Sequence, residues 1–392
     1  MRRRLFGLIV CSTLTLCLVS ARQATAPASE LVAALQQVEA LAGGEYAKDP
    51  VGGLTVGVVA GPNLVWTRSY GFADMENKRP ASAETVYRIG SITKQFTALM
   101  LLQLVEQEKV HLTDPVEKFF PEINKVPRYR AGAPAITLVQ LATMTSGLAR
   151  EPTGPPDHSD GPVSQWEQKV LAALPNTKYA HEPGTQYLYS NIGYASLGIA
   201  LGRAAGQPFT NYVEQKILGP LGMSRTAFEP TPWIRTNVAR GYVVRDGKAD
   251  WAEAARELEG RGFRVPNGAL LSTVGDVAKF LSFELGEGAR IIKKETQESN
   301  FSRVYSANGG LTSGYGIGFQ VTRRGTLVAL GHGGSTAGFL SAAHIDPVSK
   351  TGVIVLRNVV GGRLNPATLA LRALDIVATA ATARPATSSR DQ

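Results

Sequence analysis

Ser91 and Lys94 stand three residues apart at the start of the apolar run Ile92 to Val105. On a helix that spacing puts a hydroxyl and an amine on one face, one turn apart. A free hydroxyl is a poor nucleophile near neutral pH and needs a neighbouring base. A lysine desolvated among apolar residues loses part of its preference for the charged form, so it can act as that base or tune another. Phe96, Leu99, Met100, Leu101, Leu102, Leu104 and Val105 make the run apolar on nearly every side, and Gly90 precedes it. A helix of that kind belongs inside a domain, packed all round. The bland alternative is a serine in a first helical turn with a solvated lysine beside it. A four-residue pattern alone cannot separate the two, so other parts of a site must be found elsewhere in the chain.

Two further stretches supply them. Tyr189-Ser190-Asn191 follows Pro183-Gly184 in a loop before a helical pattern. Asn191 there suits a helix cap, or else it hydrogen-bonds a substrate amide carbonyl while Tyr189, its phenol made more acidic by Lys94, moves a proton. Gly331-His332-Gly333-Gly334-Ser335 precedes the strand-like stretch from Phe339. Glycines at a strand let another backbone approach closely. The backbone N–H groups of Ser91 and Ser335 would make a donor pair for a developing oxyanion.

The elements that must position these residues are legible as well. Leu31, Leu35, Val38 and Leu41 follow helical spacing, which Gly43-Gly44 is expected to close. The stretches 54–59 and 64–67, joined through Gly61-Pro62-Asn63, predict a β-hairpin. Helices are expected over 92–105, 191–205, 209–218 and 274–284, strands over 315–321, 339–345 and 352–356, and a C-terminal helix opening at Asn365-Pro366. Strands at both ends with helices between them predict an α+β fold, an antiparallel sheet built from both termini with a mainly helical insertion. The expected boundaries are a sheet domain over 30–90 and 236–382, a helical domain over 91–235 and a disordered tail over 383–392. The Pro- and Gly-rich stretch 151–162 is expected to be a loop.

With 392 residues, 44% hydrophobic and 19% charged, the chain is long enough for a sizeable core. Three arginines followed by an apolar run to Val19 read as a secretory signal over 1–21, with a flexible leader over 22–29. Its removal would take the formal net charge from +9 to +6. No stable membrane span is expected afterwards. Both cysteines, Cys11 and Cys17, lie inside that signal, so the mature protein would carry no disulfide and no cysteine ligand. His111, His158, His181, His332 and His344 show no paired ligand spacing, which argues against a metal, and no cofactor is expected. The basic residues are scattered and no nucleic-acid motif is present. Glu182 could serve as a water-activating base, but a loop glutamate is ordinarily solvated.

The order Ser-x-x-Lys, Tyr-x-Asn, His-Gly-Gly resembles the penicillin-recognising serine hydrolases, the family of class C β-lactamases, D-alanyl-D-alanine carboxypeptidases, D-aminopeptidases and related esterases. The segments 70–74, 112–115, 145–148 and 220–223 look like family segments too, so the likeness spans about Leu54 to Leu356. The resemblance implies Ser91 as acylated nucleophile, Lys94 and Tyr189 sharing proton transfer, and Asn191 with His332, Gly333 and Gly334 binding substrate. It also implies Ser91 and Ser335 as oxyanion donors, and a β-lactamase/DD-peptidase-like sheet flanked by terminal helices. The substrate would be a β-lactam, a D-amino-acid peptide or an ester. The sequence departs from typical β-lactamases in having His332 where they carry the lysine of Lys-Thr-Gly. Met144 stands where many relatives have histidine, and a packing change is expected there. Two other readings are a true class C-type β-lactamase and a non-catalytic cell-wall binding protein with the same fold. An α/β-hydrolase elbow at Gly333-Gly334-Ser335 is disfavoured, because Ala337 breaks the motif and no βαβ pattern surrounds it. Oligomeric state is not specified by the sequence.

Overall fold

The structure is a computed structural model that describes residues 29–154, 160–257, 260–301, 303–307 and 312–382. The expected signal, leader and tail, both cysteines and His158 lie outside the described residues, apart from Ser29 of the leader. Among the described residues one nine-stranded sheet dominates. In chain order its strands are β1 (Gly53–Ala60), β2 (Asn63–Asp74), β3 (Arg79–Pro80), β4 (Ser306–Ala307), β5 (Ser313–Tyr315), β6 (Gln320–Arg324), β7 (Leu327–Thr336), β8 (Phe339–Asp346) and β9 (Thr351–Arg357). Across the sheet they run β3-β2-β1-β9-β8-β7-β6-β5-β4. Each pair is antiparallel, and β1 from one end of the chain lies against β9 from the other. That is the α+β arrangement the strand and helix order predicts.

The period of two along a strand sorts the core into layers. On β1, Leu54, Val56 and Val58 face one side, where they join Val353, Val355, Leu369, Leu374 and Val377. The helices α1 (Ser29–Ala47) and α6 (Pro366–Thr382) cover that face. Val59, Ile354 and Leu356 pack on the other side with Val274, Val277 and Leu281 of α4 (Val274–Glu284). This second core continues without a break into α2 (Thr93–Glu106) and α3 (Asn191–Ala205). All but the last two residues of α2 are buried, as an all-round apolar helix requires.

The second hairpin strand runs well past its expected end, to Asp74, and three other boundaries differ from expectation. The first helix runs through Gly43-Gly44 to Ala47, because Gly43 lies against the Tyr70 ring on β2 and the helix stays packed there. The expected strand over 315–321 is two strands, β5 and β6, separated by a turn in which Gly316 N–H donates to Phe319 O at 2.9 Å. The helix from Phe209 is α-helical only to Val213 and then widens into a π-helical turn over Glu214–Leu218.

Candidate active site

Ser91 sits in a 3₁₀ turn, Gly90–Ile92, that leads directly into α2. Ile89 N–H donates to Leu270 O at 3.0 Å, which ties this turn to the segment carrying Asn267. The three-residue offset then brings Lys94 Nζ to 3.2 Å from Ser91 Oγ. Lys94 is fully buried, and Nζ also donates to Asn191 Oδ1 and to the backbone O of Asn267, both at 2.8 Å. Burial holds its pKa well below the ordinary lysine value; the Arg261, Arg150 and Arg264 charges push the same way and Glu151 opposes them. A neutral amine has two N–H groups and one lone pair. With both N–H groups taken by carbonyl oxygens, the lone pair is left for the Ser91 hydroxyl. The geometry therefore suits a base poised on a serine.

Tyr189 is partly buried, its ring centroid 4.8 Å from Lys94 Nζ. Its pKa lies above that of a free phenol because burial outweighs the opposing hydrogen bond with Ser91. The expected acidification by Lys94 is therefore corrected. Burial disfavours the charged lysine and the phenolate alike, so the phenol keeps its proton and can donate it. Met144 supports this loop from below: its Sδ accepts from Ser190 N–H at 3.2 Å and its carbonyl accepts from Leu188 N–H at 2.8 Å.

Ser190, rather than Asn191, caps α3, its hydroxyl accepting from Gly193 N–H at 3.0 Å. Asn191 is free of that duty, but its side chain is engaged at both ends. Oδ1 accepts from Lys94, and Nδ2 donates to Glu151 Oε1 at 2.6 Å. One N–H of the amide remains for a substrate carbonyl.

The strand β7 brings the third group. His332 is 1% exposed; its Nδ1–H donates to Gly333 O and its Nε2 accepts from the Tyr315 hydroxyl at 3.0 Å. Burial pushes its pKa down to about 3, so the imidazole is neutral. Its side chain points into the core beside Tyr315 and does not line the cleft. His332, expected at the substrate, is thus bonded to Tyr315 and to its own strand. Gly333 and Gly334 are half-buried opposite Ala342 and Ser341. A side chain at Gly334 would collide with Ile89 O and Ser341 Oγ. Gly90, at φ +52°, faces the same junction, where a Cβ would lie 2.8 Å from Ser335 N. These glycines let the Ser91 turn and β7 meet backbone to backbone, and Ser91 and Ser335 line one cleft.

That cleft has about 380 Å³ of room, within the range of a small-molecule site. Its walls carry Arg150, Arg245, Arg261 and Arg264 facing Glu151, Glu253 and Glu257. Arg261 and Glu257 pair at 2.9 Å, Arg245 and Glu253 at 2.6 Å, and Arg264 and Glu151 at a looser 3.6 Å. Glu182 pairs with Arg130 at 2.6 Å and is not part of these walls. Glu151, Arg264 and Asn267 are members of the site that sequence reasoning missed, and buried Tyr315 stands behind it, bonded to His332. No spacing pattern marks them, and Glu151 opens a stretch whose composition reads as a solvent loop.

A family model described as Beta-lactamase matches residues 31–377. The chain is 31% identical over 320 residues to a D-alanyl-D-alanine-carboxypeptidase/endopeptidase, AmpH, of Escherichia coli K12, covering 78% of each chain. It is 26% identical to Protein flp of Staphylococcus aureus, with 82% of this chain matching but only 63% of that relative's length. A beta-lactamase/D-alanine carboxypeptidase from Yersinia pestis, solved with citrate, superposes with a TM-score of 0.72 at 25% identity over 89% of this chain and 99% of its own. An octameric penicillin-binding protein homologue from Pyrococcus abyssi superposes equally well, with a TM-score of 0.72 at 26% identity over 88% of this chain and 77% of its own.

Proposed function

Because the chain belongs to the Beta-lactamase family and is a serine hydrolase, we propose that it is an exported acyl-enzyme hydrolase that cleaves the terminal amide of a D-alanyl peptide. The observation that carries the catalytic assignment is the placement of Lys94 Nζ, with two carbonyl acceptors at 2.8 Å and Ser91 Oγ at 3.2 Å. The substrate class comes from the printed activity of the Escherichia coli relative. Export rests on the basic and apolar N-terminus. In this reading 91–235 forms the helical half and 30–90 with 236–382 the sheet half, and the cleft is walled by residues of both.

Ser91 Oγ attacks the scissile carbonyl carbon while its proton passes to Lys94 Nζ. The carbonyl oxygen becomes an oxyanion held by the backbone N–H groups of Ser91 and Ser335. As the tetrahedral centre collapses, the C–N bond breaks. Tyr189 gives its phenolic proton to the departing amine and regains one from Lys94, and the acyl group stays as an ester on Ser91. Water then attacks that ester, losing its proton to the same pair, and Ser91 leaves with a proton returned. Asn191 holds Lys94 in place and offers its remaining N–H to the acyl-side amide.

Intact mass of the protein incubated with benzylpenicillin, alongside loss of the drug, tests this reading. A long-lived adduct on Ser91, absent from Ser91→Ala, is expected of a peptidase with slow deacylation. Rapid drug loss without adduct would make the protein a β-lactamase instead. Labelling of Ser91→Ala by a serine-directed phosphonate would remove Ser91 as nucleophile.

A further inference from the structure

Three side-chain oxygens around one small cavity have no hydrogen-bond donor among the described residues. They are Gln95 Oε1 of α2, Glu284 Oε2 at the end of α4 and Asn300 Oδ1 of α5 (Lys294–Phe301). The three residues are 5, 7 and 8% exposed, so bulk water does not serve these oxygens from outside. The cavity has about 30 Å³ of room, enough for one or two particles the size of a water molecule. Leu99, Leu102, Phe280, Phe283, Ile292 and Phe319 make most of its remaining wall apolar. Buried polar groups are ordinarily paired, so three bare acceptors at one place call for a donating or positive occupant.

The other oxygen of Glu284, Oε1, accepts from Gln95 Nε2 at 2.6 Å. Among the described residues no basic group offsets the burial of this carboxyl, and burial alone holds its pKa well above the ordinary carboxylate value. A proton on Oε2 would serve one neighbouring oxygen and leave the other bare, whereas a cation meets all three together. Glu284 is also the last residue of α4, at the negative end of the helix dipole, where positive charge is favoured. Ligands that are all oxygen suit a hard cation, and one carboxylate balances a single positive charge in an apolar cavity. Among the described residues no three His, Cys, Asp or Glu side chains gather to hold a metal ion, which sets this cavity apart from a zinc-type centre.

We propose that this cavity binds one small monovalent cation, an alkali or ammonium ion, between Gln95, Glu284 and Asn300. Gln297 Nε2 already ties α5 to the end of α4 by donating to Phe283 O at 2.7 Å and to Glu284 O at 2.9 Å. The ion joins α2 to that pair. Gln95 follows Lys94 directly, and Gly318 of the β5–β6 turn packs so closely on the same stretch that a side chain there would meet Ala98 Cβ, Lys94 O and Gln95 Cα. The cation thus fastens the turn of α2 that bears the catalytic amine to two helices outside the cleft. The inference stands apart from the peptidase reading, because it holds whatever acyl group the cleft accepts.

Thermal unfolding in choline chloride, with sodium, potassium or ammonium chloride exchanged in at constant ionic strength, tests the proposal. Choline is too large for the cavity and supplies the baseline. One or more of the three salts should raise the midpoint by about 2 °C for each tenfold increase above the dissociation constant, and the order among them identifies the ion. Glu284→Gln keeps the side chain's shape, removes its charge and should abolish the rise. If that variant is poorly folded, Asn300→Ala, which removes one ligand, should need about tenfold more salt for the same rise. Crystals grown in rubidium chloride should show an anomalous peak bounded by the three oxygens. Identical midpoints in all four salts would overturn the cation site and leave Glu284 as a neutral acid. A rise that persists unchanged in both variants would overturn it too, as would an anomalous map with no peak among these oxygens.

Discussion

Substituting Gly90 by alanine tests whether the junction of the Ser91 turn and β7 builds the oxyanion site. Gly90 has φ +52°, where an alanine costs roughly 1–2 kcal/mol in backbone strain. The new Cβ would also lie 2.8 Å from Ser335 N and 3.2 Å from Gly334 C and Cα. These are backbone atoms of a strand paired to β8 through Gly334↔Ser341 and Ser335↔Leu340, so they cannot swing away as a side chain would. The junction must open by several tenths of an ångström, moving the Ser335 donor relative to Ser91. Removing one oxyanion donor typically costs about 10²–10³ in kcat, so Gly90→Ala should lose about a hundredfold in acylation rate. Gly61→Ala is the matched control: φ is +55°, yet nothing lies within 4 Å of its Cβ. It should lose about the same stability from strain and keep its rate. Thermal melts and single-turnover acylation by a small ester measure both quantities for each variant. A folded Gly90→Ala protein acylating within about threefold of wild type would refute the assignment of Ser335 as donor. An equal rate loss in Gly61→Ala would show that the effect is general destabilisation.

Two further outcomes depend on pH. Glu151 is the charge that opposes the lowering of the Lys94 pKa, and it reaches Lys94 through Asn191. Activity requires the neutral amine, so the rate rises with pH through the Lys94 pKa; Glu151→Gln should move that acid limb to lower pH, and an unmoved or upward-shifted limb would exclude Lys94 as the titrating base. The imidazoles of His332 and His344 are buried, with pKa values pushed down to about 3 and about 4. Their contribution to stability is fully present above the unfolded value near 6.5 and is lost as pH falls from there toward the folded values. At pH 5 each should have removed about 2 kcal/mol. Urea unfolding of His344→Gln should show a decline between pH 7.5 and 5 that is shallower by about that amount. A decline identical to wild type would mean that His344 does not carry it.

Local pattern was enough for several elements and insufficient for others, for physical reasons. Asn191–Ala205 and Val274–Glu284 coincide with the expected helices because their apolar residues are continuous and their ends carry capping residues, Ser190 with Gly206 in one case and Thr273 in the other. Asn365 likewise caps the C-terminal helix, its Oδ1 accepting from Thr368 N–H at 3.1 Å. Gly43-Gly44 misleads because a glycine pair stops a helix only where no neighbour compensates, and α1 is packed along its length on β2 and α6. Ser91, Lys94, Tyr189 and Asn191 are legible because they lie in short motifs. Glu151 and Asn267 reach the site, and Tyr315 the space behind it, through long-range contacts between segments that no local pattern connects. The protonation states were misread for a related reason. Proximity of Tyr189 to Lys94 suggests an acidic phenol, but burial acts on both groups and favours the neutral form of each.

That neutrality bears on the histidine at position 332. A lysine on this strand would place a second amine beside Lys94, and two cations near one another each disfavour the other's charge. His332 avoids that conflict by staying neutral: its Nε2 accepts from Tyr315 and its Nδ1–H is donated to the strand itself. In the proposed mechanism the charge formed when Lys94 accepts the Ser91 proton sits 4.8 Å from the centroid of the Tyr189 ring and is linked through Asn191 to Glu151. An aromatic face and a carboxylate thus stabilise the cation formed during acylation, and no neighbouring lysine opposes it. The cost is that β7 offers no positive charge to a substrate carboxylate. Positive charge near the cleft must come from the arginines instead, and Arg261 is fully committed to Glu257 and to Gly268 O. Around the cleft that leaves Arg150 and Arg264, both beside Glu151 at 4.0 and 3.6 Å.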